Sequence, residues 1–350
     1  MTPAVTIITP VYDTPLEFLQ DCKKSIIAST YPHWEWIIVD DGSSDKNLFR
    51  FYSELNDSRI TVLHTNHQGV SHARNVALDV VKTDYVVFLD SDDVLTSHFL
   101  EHSVSLAEKY HADIVMGKFK AFRHTFVEPK DAKVDTYEFV SESYLQQIRT
   151  YFKAMIAPKT LEIDGYAWSP AHPFSKLIRS SVIGEVRFNE KMEIAEDALF
   201  AAELVDLAHS VVLSGEVWTG YRKHSGSTSS FSSLNSVLQQ FESYKVFLKV
   251  SEAHGWDEQY FGIRYLASII NRVTYHKNNL SVIQLHHYLR ELEKSDLFRI
   301  SQRTDLSVWQ LSKKRRVICH LIQQKKNWIA AMVLFLGSYL YQMRSSKVVV

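Results

Sequence analysis

Cysteine is nearly absent from this chain of 350 residues: Cys22 and Cys319 are the whole complement, and they lie far apart. Neither the close Cys spacing of a cysteine-ligated metal site nor the density of a disulfide framework is present, which excludes those two arrangements and fits a reducing, cytoplasmic compartment. A secretory start is missing as well. Met1-Thr2-Pro3-Ala4 carries no basic residue and leads directly into a strand-like alternation from Val5, so no export is expected. Long apolar runs are scarce: Trp328–Tyr341 falls short of the ~20 residues that span a bilayer. Net charge is nearly absent too, at −1, but it is unevenly held. Residues 313–350 contain eight Lys/Arg and no Asp/Glu, which leaves −9 on the rest. A mildly acidic body does not suit a nucleic-acid binder, whereas the basic tail suits an anionic surface.

What is present is a hydrophobic share of 45%, enough for a filled core, and a pattern of short apolar runs alternating with helical periodicity. Strands are expected at Val5–Thr9, Glu35–Val39, Ile60–His64, Tyr85–Leu89 and Asp113–Phe119. Helices are expected over Leu16–Ser29, Leu48–Leu55, Ala73–Val81 and Phe99–Lys109. A less regular stretch follows to about Ile194, then a helix from about Ala195, a strand at Val211–Leu213 and a polar loop ending in Tyr221-Arg222-Lys223-His224-Ser225-Gly226-Ser227-Thr228. The alternation predicts an α/β domain, a Rossmann-like, mostly parallel sheet flanked by helices. From Ser233 onward there is no proline, and the pattern is almost wholly helical. The expected organisation is a domain over 1–230 and a helical C-terminal region over 231–350.

Two acidic turns end strands, where parallel sheets bind ligands. In Asp90-Ser91-Asp92-Asp93, three carboxylates within four positions repel one another unless a cation neutralises them. Magnesium or manganese takes one or two such carboxylates and leaves positions for water and phosphate oxygens. A solvated helix cap is the plainer alternative. Asp40-Asp41-Gly42-Ser43 is open to the same two readings, but the order of the turns along one half-sheet suggests a single crevice.

The stretch Thr30-Tyr31-Pro32-His33-Trp34-Glu35-Trp36-Ile37-Ile38-Val39-Asp40-Asp41-Gly42-Ser43-Ser44-Asp45 resembles the signature of family-two glycosyltransferases. So does the opening Val5-Thr6-Ile7-Ile8-Thr9-Pro10-Val11-Tyr12. Gly69-Val70-Ser71-His72-Ala73-Arg74-Asn75 and Asp90–Asp93 follow in the expected places. The resemblance implies a GT-A fold and inverting sugar transfer from a nucleotide diphosphate, UDP by preference, to an acceptor hydroxyl, with manganese or magnesium as cofactor. By position, Asp41 matches the nucleobase carboxylate, with Asp40 beside it and Thr9, Pro10 and Tyr12 lining the same pocket. Asp92 and Asp93 match the metal and diphosphate positions, with Asp90 and Ser91 completing that turn. Arg74 is placed near the nucleotide; a surface ion pair is its alternative. Asp197 of Ala195-Glu196-Asp197 matches the base that deprotonates the acceptor; a helix N-terminus favouring acidic residues is the plainer reading of the pair and does not exclude that role.

The segment Tyr221-Arg222-Lys223-His224 with its following Ser-Gly-Ser-Thr resembles a loop that closes over the donor. It offers Arg222 and Lys223 to leaving-group charge and His224 to the metal. Trp168, His172 and Lys176 precede Glu196; Trp168 and Lys176 are acceptor-side candidates, though an aromatic is more often core. Similar proteins build bacterial surface polysaccharide or lipid-linked saccharide. A sugar nucleotidyltransferase is one rival, disfavoured because Thr9–Pro15 holds neither Gly nor Lys/Arg; a non-catalytic partner subunit is the other. The tail, with apolar positions from Val317 to Met343 near helical spacing and Lys/Arg between 313 and 347, fits peripheral docking on the inner face of the membrane. Packing on the chain's own helices or on a second subunit fits it equally.

Overall fold

The computed structural model describes residues 2–129, 136–139, 161–163, 166–168, 172–192, 195–224, scattered positions between 243 and 270, 280–308 and 313–345. The chain divides into two compact units. One comprises Met1–Phe152, Lys159–Glu190 and Glu196–His224; the other comprises Lys153–Pro158, Lys191–Ala195 and Ser225–Val350.

The first unit opens with β1 (Val5–Val11), α1 (Leu16–Ile27), β2 (Trp34–Asp40), α2 (Lys46–Ser53), β3 (Ile60–His64), α3 (Val70–Leu78) and β4 (Tyr85–Phe88). β5 (Val94–Leu95), α4 (Phe99–Tyr110), β6 (Ile114–Phe122) and β7 (Thr136–Phe139) follow, then the separate hairpin of β8 (Leu161–Ile163) and β9 (Tyr166–Trp168). β10 (Lys176–Arg179), α5 (Ser180–Ile183), α6 (Glu196–Leu207) and β11 (Val211–Arg222) complete it. The main sheet runs β3-β2-β1-β4-β10-β6-β11-β5, with β7 also paired to β11. Strands β3, β2, β1 and β4 are parallel, as expected of a β-α alternation.

Beyond β4 the sheet is mixed, because β10 enters antiparallel between β4 and β6 while β11 runs parallel to β6. Every residue of β1 is buried, since helices cover both faces of a parallel sheet. Val5, Ile7 and Val11 join Trp36, Ile38, Phe99 and Trp218 on one side, and Ile8 joins Ile37, Val39, Phe88 and Phe200 on the other. Element boundaries differ from expectation in several places, and two of the differences have a clear cause. α3 begins at Val70, three residues early, because Gly69 adopts φ +99° and starts the helix there. β11 runs on to Arg222, where a polar loop is expected: Ser214-Gly215-Glu216 interrupts its apolar pattern, and pairing with β6 resumes after two register shifts.

The second unit contains α7 (Val282–Leu292), α8 (Asp296–Arg303), α9 (Lys313–Gln323) and α10 (Asn327–Ser345). Ser281 and Gln284 form a capping box at the start of α7, which buries Leu285, Tyr288, Leu289 and Leu292. α10 packs on α7 and α9. The apolar tail positions therefore divide. Ile318, Ile322 and Leu334 are buried, whereas Trp328, Ile329, Met332, Leu336 and Tyr339 are exposed. No helix among the described residues is long and apolar enough to cross a membrane.

Candidate active site

Register brings the carboxyl ends of the first strands together: Val11 lies opposite Asp40, and Asp40 opposite His64. The Asp41 amide donates to the Val11 carbonyl (2.8 Å), locking the acidic turn against the end of β1. Asp40 turns inward and accepts from Tyr52 Oη (2.6 Å) and the amides of Gly42 and Ser43 (3.1 and 2.8 Å). Asp41 accepts from Thr65 Oγ1 (2.7 Å) and the amides of Gln68 and Gly69 (3.0 and 2.7 Å), with His67 Nδ1 at 3.3 Å. Burial opposes its charge, but these donors outweigh burial and hold its pKa below the usual carboxylate range. Thr9 is wholly buried and takes a hydrogen bond from Trp36 Nε1 (2.8 Å), and Pro10 is buried beside it. Of the residues assigned to this pocket, only Tyr12 is open to solvent, half exposed and stacked on His67 at 3.9 Å between ring centroids.

At the end of β4 the three carboxylates differ in access. Asp90 and Asp92 retain 32% and 24% of their side-chain exposure. Asp93 has none. Its Oδ1 accepts from the Arg222 amide (2.8 Å) and its buried Oδ2 has no partner among the described residues. A direct ligand role for Asp93, expected from sequence, does not fit that burial; the pair that opens to ligand is Asp90 and Asp92. Burial, then the charges of Asp92 and Asp90, push the Asp93 pKa well up. Burial and Asp90 raise that of Asp92, against the His224 ring, whose Nε2 lies 2.8 Å from Asp92 Oδ2. Ser91 is held by Thr14 (2.6 Å between hydroxyls).

Arg222 is a brace rather than a loop cation. It donates to the Asp92 carbonyl (2.8 Å) and to Asp21 (3.1 Å), between the rings of Phe18 and Phe122 at 4.4 and 4.6 Å. Lys223 follows β11, and Ser225–Thr228 lie outside the described residues.

Arg74, on α3, is neither a surface pair nor open to solvent. At 4% exposure it donates to Asp90 Oδ1 (2.8 Å) and faces Glu196 at 3.7 Å, so one guanidinium joins the carboxylate turn to the start of α6. There Asp197 accepts from the Ala198 amide (2.7 Å) and faces His172 Nδ1 at 3.5 Å. Burial works against the Asp197 charge, but His172 and Arg74 prevail and its pKa is lowered. Glu196 is pushed the other way by burial and by Asp197. Lys176 is buried and donates to the His172 carbonyl, and burial pulls its pKa down to about 7 against the attraction of Asp197. Trp168 ends β9, and its side chain lies outside the described residues.

Residues 6–164 match the family model described as Glycosyl transferase family 2. The matched segment carries a family-two glycosyltransferase domain. The chain is 27% identical over 230 residues to glycosyltransferase GlyA of Streptococcus pneumoniae serotype 4, covering 64% of this chain and 31% of GlyA. It is 32% identical over 127 residues to an Escherichia coli enzyme, the UDP-Glc:alpha-D-GlcNAc-diphosphoundecaprenol beta-1,3-glucosyltransferase WfgD, covering 36% and 49% of the two chains. The chain thus spans about a third of GlyA and about half of WfgD. Among solved structures, S. aureus TarS 1-349 in complex with UDP-GlcNAc superposes with a TM-score of 0.66, at 20% identity over 97% of this chain and 92% of TarS 1-349. The fold is therefore GT-A, and the segment matched by the family model contains the turns after β2 and β4.

Sequence reading missed the residues that lock this site from a distance. Asp21, Phe18, Tyr52 and Thr65 carry no motif of their own. Only the spatial return of α1, α2 and the β3 end to the crevice makes them partners.

Proposed function

We propose that the chain catalyses inverting, metal-dependent transfer of a sugar from a UDP-sugar to a hydroxyl of a saccharide or lipid-linked saccharide acceptor, in bacterial surface polysaccharide synthesis. The observation that carries this reading is the Arg74 bridge, which ties the open Asp90–Asp92 pair to Glu196 and so sets the diphosphate side of the crevice beside Asp197. The residues fit a divalent ion. Asp90 and Asp92 supply open hard oxygens with His224 alongside, and burial, then the Asp90 charge, raises the pKa of Asp92, a cost to its charged form that a cation relieves. Manganese or magnesium held there would supply charge neutralisation for the departing nucleoside diphosphate.

Tyr12, stacked on His67, offers a ring beside Asp41 for the nucleobase. Asp197, kept ionised, receives the acceptor proton while His172 holds its second oxygen; Lys176 lies against the same carbonyl and carboxylate pair. A single displacement needs no carboxylate nucleophile and inverts the anomeric centre. The names UDP-Glc and diphosphoundecaprenol attached to WfgD support a UDP donor and a lipid-linked acceptor, as does the apolar and basic tail, through which we place the chain peripherally on an anionic membrane.

The test is a panel of UDP-sugars assayed for release of UDP with and without acceptor, on the wild type and on Asp197→Asn. Turnover should fall by about 10²–10⁴-fold in the variant with donor affinity retained, and chelator should abolish it in the wild type. Full turnover in excess chelator would sink the metal assignment, and collapse of donor affinity in Asp197→Asn would move the base elsewhere.

A further inference from the structure

His98 caps α4, and Glu101 and His102 lie in its first turn, beside Thr30, which follows α1. Each offers one ligand atom, and these atoms lie within 4.8 Å of one another. Spacing explains the convergence, because residues three and four apart share one helix face. The rings of His98 and His102 stack at 5.3 Å with 13° between planes. Thr30 Oγ1 donates to Glu101 Oε2 (2.5 Å), turning that carboxylate toward His98 at 3.7 Å.

A further observation shows that the cluster is oriented from behind. Glu216 of β11 lies 2.8 Å from His102 Nδ1 and is itself held by Trp218 Nε1 (3.0 Å), a wholly buried ring. A carboxylate on one imidazole nitrogen fixes the proton there and leaves the other nitrogen unprotonated and outward, the arrangement that metal-ligating histidines take. Glu216 keeps only 16% of its side-chain exposure, so this support is part of the packed sheet rather than a chance surface encounter.

We propose that His98, Glu101 and His102 form a divalent-metal site of zinc type, with Glu216 positioning His102, independent of the Asp90–Asp92 crevice. Two imidazoles and one carboxylate suit zinc and its borderline neighbours cobalt and nickel, whereas magnesium and manganese prefer the all-oxygen pair at the end of β4. Zn–N bonds of about 2.0–2.1 Å place ligand atoms about 3.4 Å apart, a closure that the half-exposed His98, Glu101 and His102 reach by small side-chain rotations. Three protein ligands leave the fourth position to water. The bound ion would pin the start of α4 between Thr30, which follows α1, and Glu216 of β11.

Zinc titration of the full chain by calorimetry tests this. The wild type should take up one more equivalent of Zn²⁺ than His98→Ala/His102→Ala, and Glu216→Gln should retain that equivalent with about tenfold weaker affinity. UDP release by the manganese-loaded double variant should equal that of wild type, so loss of this site and loss of the transferase reading are separable. Equal zinc stoichiometry in wild type and double variant would overturn the proposal. An NMR titration of the wild type needs no variant: zinc should shift the imidazole resonances of His98 and His102, and resonances that stay unmoved at saturating zinc would also overturn it.

Discussion

Lys176 shows how one buried residue makes stability depend on pH. The residue is 3% exposed, and its pKa falls from the ordinary 10.5 to about 7, so between these values the unfolded chain binds a proton that the folded chain does not. Stability contributed at this position therefore rises with pH from about 7 to 10.5, and the destabilisation is complete below about 7. Lys176→Met, similar in length and without charge, is expected to raise the Tm at pH 6 by several degrees, partly offset by the lost hydrogen bond to the His172 carbonyl. The gain should shrink steadily as pH rises toward 10. Equal gains at pH 6 and pH 10 would show that the ammonium is not desolvated in the fold. Turnover reports separately on Asp197, whose low pKa keeps it ionised throughout that range.

Among the elements, β11 links most of the functional features and was the least legible. Its Trp218 lies over Gly117 of β6, where an added Cβ would come within 2.3 Å of the indole, and stacks on Phe99 at 4.9 Å. Gly117→Ala is expected to cost about 1–3 kcal/mol, because the ring is wedged between sheet and α4 and has no room to retreat. Thermal unfolding checks this, and Trp218→Leu in the same chain should recover part of the loss; an unchanged Tm for Gly117→Ala would contradict the packing. The strands β1 to β4 and helices α1 to α4 could be read because their apolar periods are local and uninterrupted. By contrast, β11 is cut by Ser214-Gly215-Glu216, β5 has two residues and β10 four, and each owes its place to distant partners rather than to its own pattern. The site divides in the same way. Asp41, Asp92, Asp197 and Arg74 stood out in motifs, but the inward turn of Asp40, the burial of Asp93 and the bracing role of Arg222 depend on Tyr52, on β11 and on Asp21, which no spacing links to them.

At the scale of the molecule, the uneven charge meets an uneven apolar surface. The basic tail lies on α9 and α10, and α10 turns small residues inward, Ala330, Ala331 and Ser338, while Trp328, Ile329, Met332, Leu336 and Tyr339 face out. Exposed Lys313, Lys314, Lys325 and Lys326 belong to the same pair of helices and their connection. Near an anionic surface each lysine contributes about 1 kcal/mol, so four give ~4 kcal/mol, or roughly a thousandfold in affinity, lost to screening at high salt. The apolar side chains supply the salt-independent remainder. Removing everything from Lys313 onward would be a poor test, since Ile318, Cys319, Ile322 and Leu334 are buried and α10 packs on α7; such a chain is expected to unfold locally. Ile329→Ser/Leu336→Ser alters only exposed positions and should keep the wild-type melting curve. In flotation with vesicles containing phosphatidylserine, the wild type should rise with the lipid at low salt, partly release at 1 M salt, and bind markedly less when Ile329 and Leu336 are replaced. Wild-type protein that ignores the vesicles at low salt, but sediments as a dimer that the two serines dissociate, would assign this face to a second copy of the chain and remove the membrane from the proposal.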